Sequence, residues 1–284
     1  MLVIRILFYR IILLVYGGMK LLNGSELAGF IKERHAKQVR ALRANKITPK
    51  LAIVQVKNDP VINTYVHLKQ RYGADIGVDV EVFTPKQADL PKIIRGLNND
   101  KAVHGIIVQL PLEDVSQTDE VINLVAPGKD VDALANKSQF EPATPMAILW
   151  LLAGYGIGLA DKKILLIGRG KLVGAPLEKI LKTSGYEVEV IDRSIKNLAA
   201  HTKRADVIIT ATGSPAVIYS DMIGPGAVVV DAGVASESGK TVGDLAPDVY
   251  ERDDLIITPK KGGVGPLTVC ALFENVIRAA GKSK

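Results

Sequence analysis

Short apolar runs, each followed by a turn and a longer amphipathic stretch, recur from residue 51 to residue 258. The first, Leu51-Ala52-Ile53-Val54-Gln55-Val56, is apolar on both faces. That pattern belongs to a parallel strand covered by helices on either side. Strands are expected at 51–56, 80–83 and 105–110, and helices at 25–44, 62–76 and 90–97. The first helix should turn Leu27, Phe30, Ile31, Val39 and Leu42 to the core. Such a βαβαβ series takes right-handed crossovers. Pro127-Gly128 marks a loop, 133–144 carries little periodicity, and a helix near 145–155 holds Pro145 in its first turn. The alternation then restarts, with strands at 163–167, 187–191, 207–210, 227–231 and 255–258. Helices are expected at 173–184 and 198–203, and one last long helix at 264–280. The fold class is α/β. It is read as two three-layer α/β domains, the second a Rossmann-type dinucleotide-binding domain, with an interdomain cleft. The boundaries are 19–143, completed by the C-terminal helix 264–284, and 144–263.

A chain of 284 residues, 48% hydrophobic and 23% charged, is long enough for two cores. The net charge of +6 is scattered with no long basic run, which argues against nucleic acid and suits small anionic ligands. One cysteine, Cys270, excludes an internal disulfide and fits a reducing, cytoplasmic setting. Cys270 lies in an apolar stretch and reads as a small buried hydrophobe. No metal site is expected. Residues 1–18 are very apolar but broken by Arg5 and Arg10, and the uncharged run 11–19 is shorter than the roughly 20 residues that span a bilayer. No small-residue cleavage site follows, so this segment reads as an apolar extension or a mis-called start before Met19, with no membrane partner.

The strand at 163–167 runs into Gly168-Arg169-Gly170-Lys171-Leu172-Val173-Gly174, one residue longer than the common dinucleotide fingerprint. Gly168 permits a tight exit, Gly170 allows backbone to approach a pyrophosphate, and Val173 and Gly174 open a helix whose N–H groups favour anions. Asp192 ends the next strand, where an acid accepts from ribose hydroxyls and favours NAD. Arg169 and Arg193 could instead hold a 2′-phosphate and favour NADP, or be solvated surface charges. Thr212, Gly213, Gly233 and Val234 follow the next strand ends and should flank the cofactor. Asp231 reads first as a bond to loop backbone.

Tyr65 and Lys69, four residues apart, share one helix face and can point into one site. With Tyr65-Val66-x-x-Lys69 come Gly105 through Pro111, Lys129-Asp130-Val131-Asp132, Gly168 through Pro176, and Gly262 through Val269. Together, in this order, they resemble the bifunctional methylenetetrahydrofolate dehydrogenase/methenyltetrahydrofolate cyclohydrolase family over about residues 19–280. The resemblance implies a homodimeric enzyme of one-carbon metabolism acting on tetrahydrofolate derivatives with NADP, or NAD. It would oxidise 5,10-methylenetetrahydrofolate and hydrolyse the methenyl product to 10-formyltetrahydrofolate. It further implies that Lys69 transfers protons, Gln109 orients it, Tyr65 stacks on or bonds the folate, and Asp132 anchors the pterin-like ring. Gly263, Val264, Gly265 and Pro266 would lie against folate and nicotinamide.

The chain departs from the family pattern in several places. Ala133 stands where glycine usually follows the second aspartate, and the segment 133–142 looks short. Ile62 replaces a serine, and Pro259-Lys260-Lys261 replaces Pro-x-Pro. The lysine pair reads equally as a polyglutamate attractant or as surface charge. Asp192 weakens the NADP assignment. Competing readings are a monofunctional dehydrogenase without hydrolase activity, a two-domain amino-acid or shikimate dehydrogenase, and a non-catalytic sensor.

Overall fold

The computed structural model describes residues 20–192, 194–233, 235–237 and 240–282. The extension 1–18, Arg193 and Val234 lie outside the described residues. The first half runs β1 (Lys20–Leu21), α1 (Gly24–Ala44), β2 (Lys50–Gln55), α2 (Pro60–Ile76), β3 (Asp79–Phe83), α3 (Leu90–Asn99), β4 (Gly105–Gln109) and α4 (Thr118–Ile122). The second runs α5 (Ala143–Gly154), β5 (Ile164–Ile167), α6 (Gly174–Thr183), β6 (Val188–Ile191), α7 (Leu198–Thr202) and β7 (Val207–Thr210). It ends with β8 (Val228–Asp231), β9 (Ala235–Glu237), β10 (Lys240–Val242), β11 (Ile256–Ile257) and α8 (Val264–Lys282). The chain divides into two compact units.

One unit takes 25–147, 171–177 and 265 onward. Its sheet has the order β3-β2-β4, all parallel, with Leu51 to Val54 buried in the central strand. Val54, Leu90, Ile94, Val108 and Leu112 belong to one core cluster of this unit. Each such side chain contributes about 1.5–3 kcal/mol by leaving water. Helix α2 starts cleanly because the Asp59 side chain accepts from the N–H groups of Val61 and Ile62 and Pro60 opens its first turn. It stops at Gly77, whose φ of 84° is the left-handed region that favours glycine. Helix α8 packs here too: the Asn275 amide donates to the carbonyls of Val131 and Glu141, both at 2.9 Å.

Helix α1 corrects one expected core residue. It buries Ala28, His35 and Val39, whereas Phe30 is 62% exposed. Two residues along a helix is a rotation of about 200°, so Phe30 faces away from the stripe that starts at Ala28.

The other unit takes 20–24, 148–170 and 178–264. Its six-stranded parallel sheet has the order β1-β11-β8-β7-β5-β6. β5 lies between β6 and β7, so the chain leaves it in one direction and returns on the other side. In open α/β sheets, ligands bind outside the carboxyl ends of the strands at such a reversal, here the end of β5. Leu165, Ile167, Ile208, Val229 and Ile257 form the core on one face. Three features escaped the sequence reading: β1, α4 and the antiparallel hairpin β9–β10.

Candidate active site

In the three-stranded unit, α2 follows β2 and presents Tyr65 and Lys69 one turn apart, both half-buried. Gln109 is the last residue of β4, in register with Gln55 of β2. The Lys69 Nζ donates to the Gln109 Oε1 at 2.7 Å. A parallel bridge between Ile106 and Asp130 lays the next motif alongside β4 and so brings Asp132 toward the same strand end. Lys129 secures that motif by donating to the carbonyls of Leu97 and Asp100, at 2.9 and 2.6 Å. Asp130 secures it from inside, its carboxylate accepting from the N–H of Ala135 at 2.9 Å.

Asp130 and Asp132 therefore differ in kind. Asp130 is spent on backbone, while Asp132 lines a cavity of about 190 Å³ with Gln109, Leu110, Pro142, Thr144 and Leu172. Lys69 and Tyr65 are not among its lining residues, and Gln109 joins the two, touching the ammonium and facing the cavity. Burial pulls the Lys69 ammonium below its ordinary range, and the Asp132 charge partly opposes this. Burial pushes the Asp132 carboxyl up, and Lys69 pulls it back. An amine that loses its proton more readily, held by a side chain that lines a cavity, can act as a base.

In the six-stranded unit, Gly168 leaves β5 with a φ of 97°, and a Cβ there would stand 2.6 Å from the carbonyl of Ala211. At Gly170 a Cβ would meet nothing within 4 Å, so that backbone is open to a ligand. The Val173 carbonyl accepts the N–H of Leu177 at 2.9 Å and starts α6. Thr212, Gly213 and Gly233 converge at the carboxyl ends of β7 and β8. The Asp244 carboxylate accepts from the N–H groups of Thr212 and Ser214, at 2.7 and 3.1 Å. Asp231 accepts from the N–H groups of Gly233, Asp244 and Leu245, at 2.9, 3.1 and 3.2 Å. Burial, with the Asp244 charge adding to it, pushes Asp231 up to about 6 against those hydrogen bonds. A Cβ on Gly233 would overlap the Asp244 carboxylate. A positive-φ exit, an open glycine and two carboxylate-braced loops around one strand end fit a dinucleotide.

Residues 22–132 match the family of the tetrahydrofolate dehydrogenase/cyclohydrolase catalytic domain, and residues 142–284 match its NAD(P)-binding domain. The chain belongs to this tetrahydrofolate dehydrogenase/cyclohydrolase family. A bifunctional FolD protein of Acetivibrio thermocellus is 36% identical over 275 residues, covering 92% of this chain and 96% of that protein. The crystal structure of the bifunctional FolD dehydrogenase/cyclohydrolase of Campylobacter jejuni is 35% identical and superposes with a TM-score of 0.87, covering 93% of this chain and 99% of that one. The Trypanosoma brucei FolD enzyme, complexed with NADP cofactor and inhibitor, is 27% identical with a TM-score of 0.87, covering 94% of this chain and 99% of that one.

The family's departures in this chain now have physical settings. Ala133 has a φ of 55°, the conformation that glycine adopts without penalty. Ile62 is buried in α2's inner face, where a serine hydroxyl would need a partner. The Lys260 ammonium sits 5.0 Å from the centre of the Tyr250 ring, a cation–π contact. Gly262 has a φ of 83°, and a Cβ on Gly24 would overlap the Gly263 carbonyl. Val264 is buried, and Gly265 and Pro266 form the first turn of α8.

Asp192 accepts from the N–H of Ser194 at 2.9 Å at the end of β6. Arg169 is paired with Glu178 through Nε at 2.6 Å. Sequence reading missed Glu178, Asp244, Thr144 and Leu172. No motif marks Glu178, an acid on α6, and Asp244 follows the hairpin β9–β10. A second cavity, about 280 Å³ and lined by Gly156, Lys162, Asp206 and Pro225, opens at the amino ends of β7 and β8. It lies at the end of the sheet opposite the glycine turn and holds none of the expected site residues. Among the described residues no helix is long and apolar enough to cross a membrane.

Proposed function

We propose that this chain oxidises 5,10-methylenetetrahydrofolate to the methenyl cation and hydrolyses that cation to 10-formyltetrahydrofolate. In this reading residues 19–143 with 264–284 bind folate and residues 144–263 bind the dinucleotide. The observation that carries it is the Lys69–Gln109 hydrogen bond of 2.7 Å, made by a lysine whose pKa burial depresses. The family membership supplies the substrate class.

Asp132 accepts two hydrogen bonds from the pterin's amino and ring N–H donors, and so sets the ring's register. Tyr65, one turn before Lys69, covers the folate face. NADP is the assigned cofactor, with Arg169 for its 2′-phosphate, and NAD competes for the same glycine turn, Asp192 taking its ribose. Gly168, Gly170, Val173 and Gly174 hold the pyrophosphate, and Thr212, Gly213 and Gly233 flank the nicotinamide side. When bound, the nicotinamide supplies a hydride acceptor. The folate nitrogen lone pair stabilises the resulting cation, so the protein's share of that step is alignment.

Hydrolysis needs proton transfer. The neutral Lys69 amine takes a proton from water as its oxygen bonds to the methenyl carbon. The resulting ammonium gives that proton to the departing ring nitrogen, and the adduct's hydroxyl proton leaves to solvent as the formyl carbonyl forms. Gln109 keeps the amine aimed throughout, and homodimerisation is assigned by family likeness alone. The test mixes the purified chain with methylenetetrahydrofolate and either dinucleotide. The methenyl absorbance should rise and then decay; a rise without decay would remove the hydrolase from this reading, and no rise would remove both steps.

A further inference from the structure

We propose that Glu178 is a specificity-determining residue, setting the balance between NADP and NAD by holding Arg169 away from a 2′-phosphate. This rests on the dinucleotide reading above. Arg169 directly follows Gly168, the glycine just after β5, so its guanidinium is, among the described residues, a cation placed to meet an adenosine ribose there. The Arg169 Nε donates to Glu178 Oε2 at 2.6 Å and its Nη2 to Oε1 at 3.4 Å. The guanidinium thus turns one of its two hydrogen-bonding edges to a carboxylate, with the Nη1 edge left over. The same Oε1 accepts from Lys182 Nζ at 2.7 Å, one helical turn on.

The burial of the three groups is unequal. Glu178 is 7% exposed, whereas the Arg169 side chain is 68% exposed and that of Lys182 57%. The Glu178 carboxylate is held below the ordinary range by hydrogen bonds from Lys182 and then Arg169, so it carries its charge at neutral pH. It is therefore a negative charge already bonded to the guanidinium that a 2′-phosphate would engage. A phosphate carries close to two charges there and must compete with Glu178 for Arg169, while a 2′-hydroxyl has no such contest. Asp192, at the end of the neighbouring strand β6, adds an acceptor that suits the hydroxyl. The arrangement moves this chain toward NAD without removing the arginine that recognises NADP.

The test is calorimetric titration of the purified full chain with NADP and NAD separately, at two salt concentrations. Glu178→Gln keeps the side-chain length and removes the charge. NADP should bind about tenfold tighter, with a steeper salt dependence, while NAD moves by less than about twofold. Lys182→Met leaves Glu178 to Arg169 alone, so NADP should weaken; the weakening should disappear in the Glu178→Gln background. An unchanged NADP-to-NAD ratio in Glu178→Gln, or weaker NADP binding, overturns the proposal, the latter by showing that Glu178 orients Arg169 for phosphate. Persistence of the Lys182→Met loss in the double variant overturns it as well. Failure of the wild-type chain to bind either dinucleotide would instead overturn the dinucleotide reading, and this proposal with it.

Discussion

The two units use carboxylates in opposite ways. In the six-stranded unit Asp231 and Asp244 take five backbone N–H groups between them and shape two loops. In the three-stranded unit Asp130 does the same, but Asp132 two residues on faces a cavity and acts on Lys69 by charge. An acid surrounded by N–H donors is scaffold, and one whose main influence is a neighbouring ammonium is available for chemistry. Residue type alone does not separate them.

The largest expected break in that contrast is Lys69→Met. Methenyl hydrolysis should fall about 10²–10⁴-fold in a stopped assay while folate binding remains measurable. The same change should stabilise the fold. Because the folded pKa of Lys69 is depressed, the native state binds fewer protons than the unfolded chain between that pKa and about 10.5. Lys69 therefore costs stability at neutral pH and costs less as pH rises through that window. A higher Tm for Lys69→Met at pH 7, by about 2–4 °C for each kcal/mol recovered, with the gain shrinking toward pH 10, is the expected result. A lower Tm would mean the amine is part of the scaffold.

Asp132→Asn comes next. Folate KM should rise about tenfold or more as a charge-assisted bond is lost. Loss of the negative charge should also let Lys69 deprotonate at lower pH, so the alkaline rise in hydrolysis rate begins earlier. A pH–rate profile that does not move would uncouple the pair. Gly233→Ala tests the scaffold side: overlap with the Asp244 carboxylate should cost about 1–3 kcal/mol in denaturant melts and weaken both dinucleotides alike. A selective loss of one of them would make this loop a reader of the ribose. The smallest effect belongs to Ala133→Gly. Relief of left-handed backbone, offset by glycine's entropy, should stabilise by about 0.5–1 kcal/mol without changing kcat.

Most strands were legible because a parallel sheet covered on both faces needs unbroken apolar runs, as in β2, β5 and β7. β1 was not: two residues, Lys20 and Leu21, carry no period, and they become a strand by pairing with Ile256 and Ile257 far along the chain. Phe30 misled because it is apolar, although its position on α1 turns it outward. At the carboxyl end of β4, Lys69, Gln109 and Asp132 could be singled out only by their joint motifs, since each alone has a commoner surface or loop role. Glu178 had no motif, and its meaning comes from two cations that only the folded helix brings to it. Asp231 was legible as a loop brace, because an acid at a strand end ordinarily finds backbone N–H groups.

Helix α8 is the last element of the chain and belongs to the unit whose sheet was laid down first. On a ribosome, the carbonyls of Val131 and Glu141 must wait for the Asn275 amide until the whole six-stranded unit has emerged. The later-born unit can close before the earlier one, reversing the usual order of domain folding during synthesis. Synonymous or chaperone effects on yield should therefore track the fate of the segment 131–141, which waits longest for its partner.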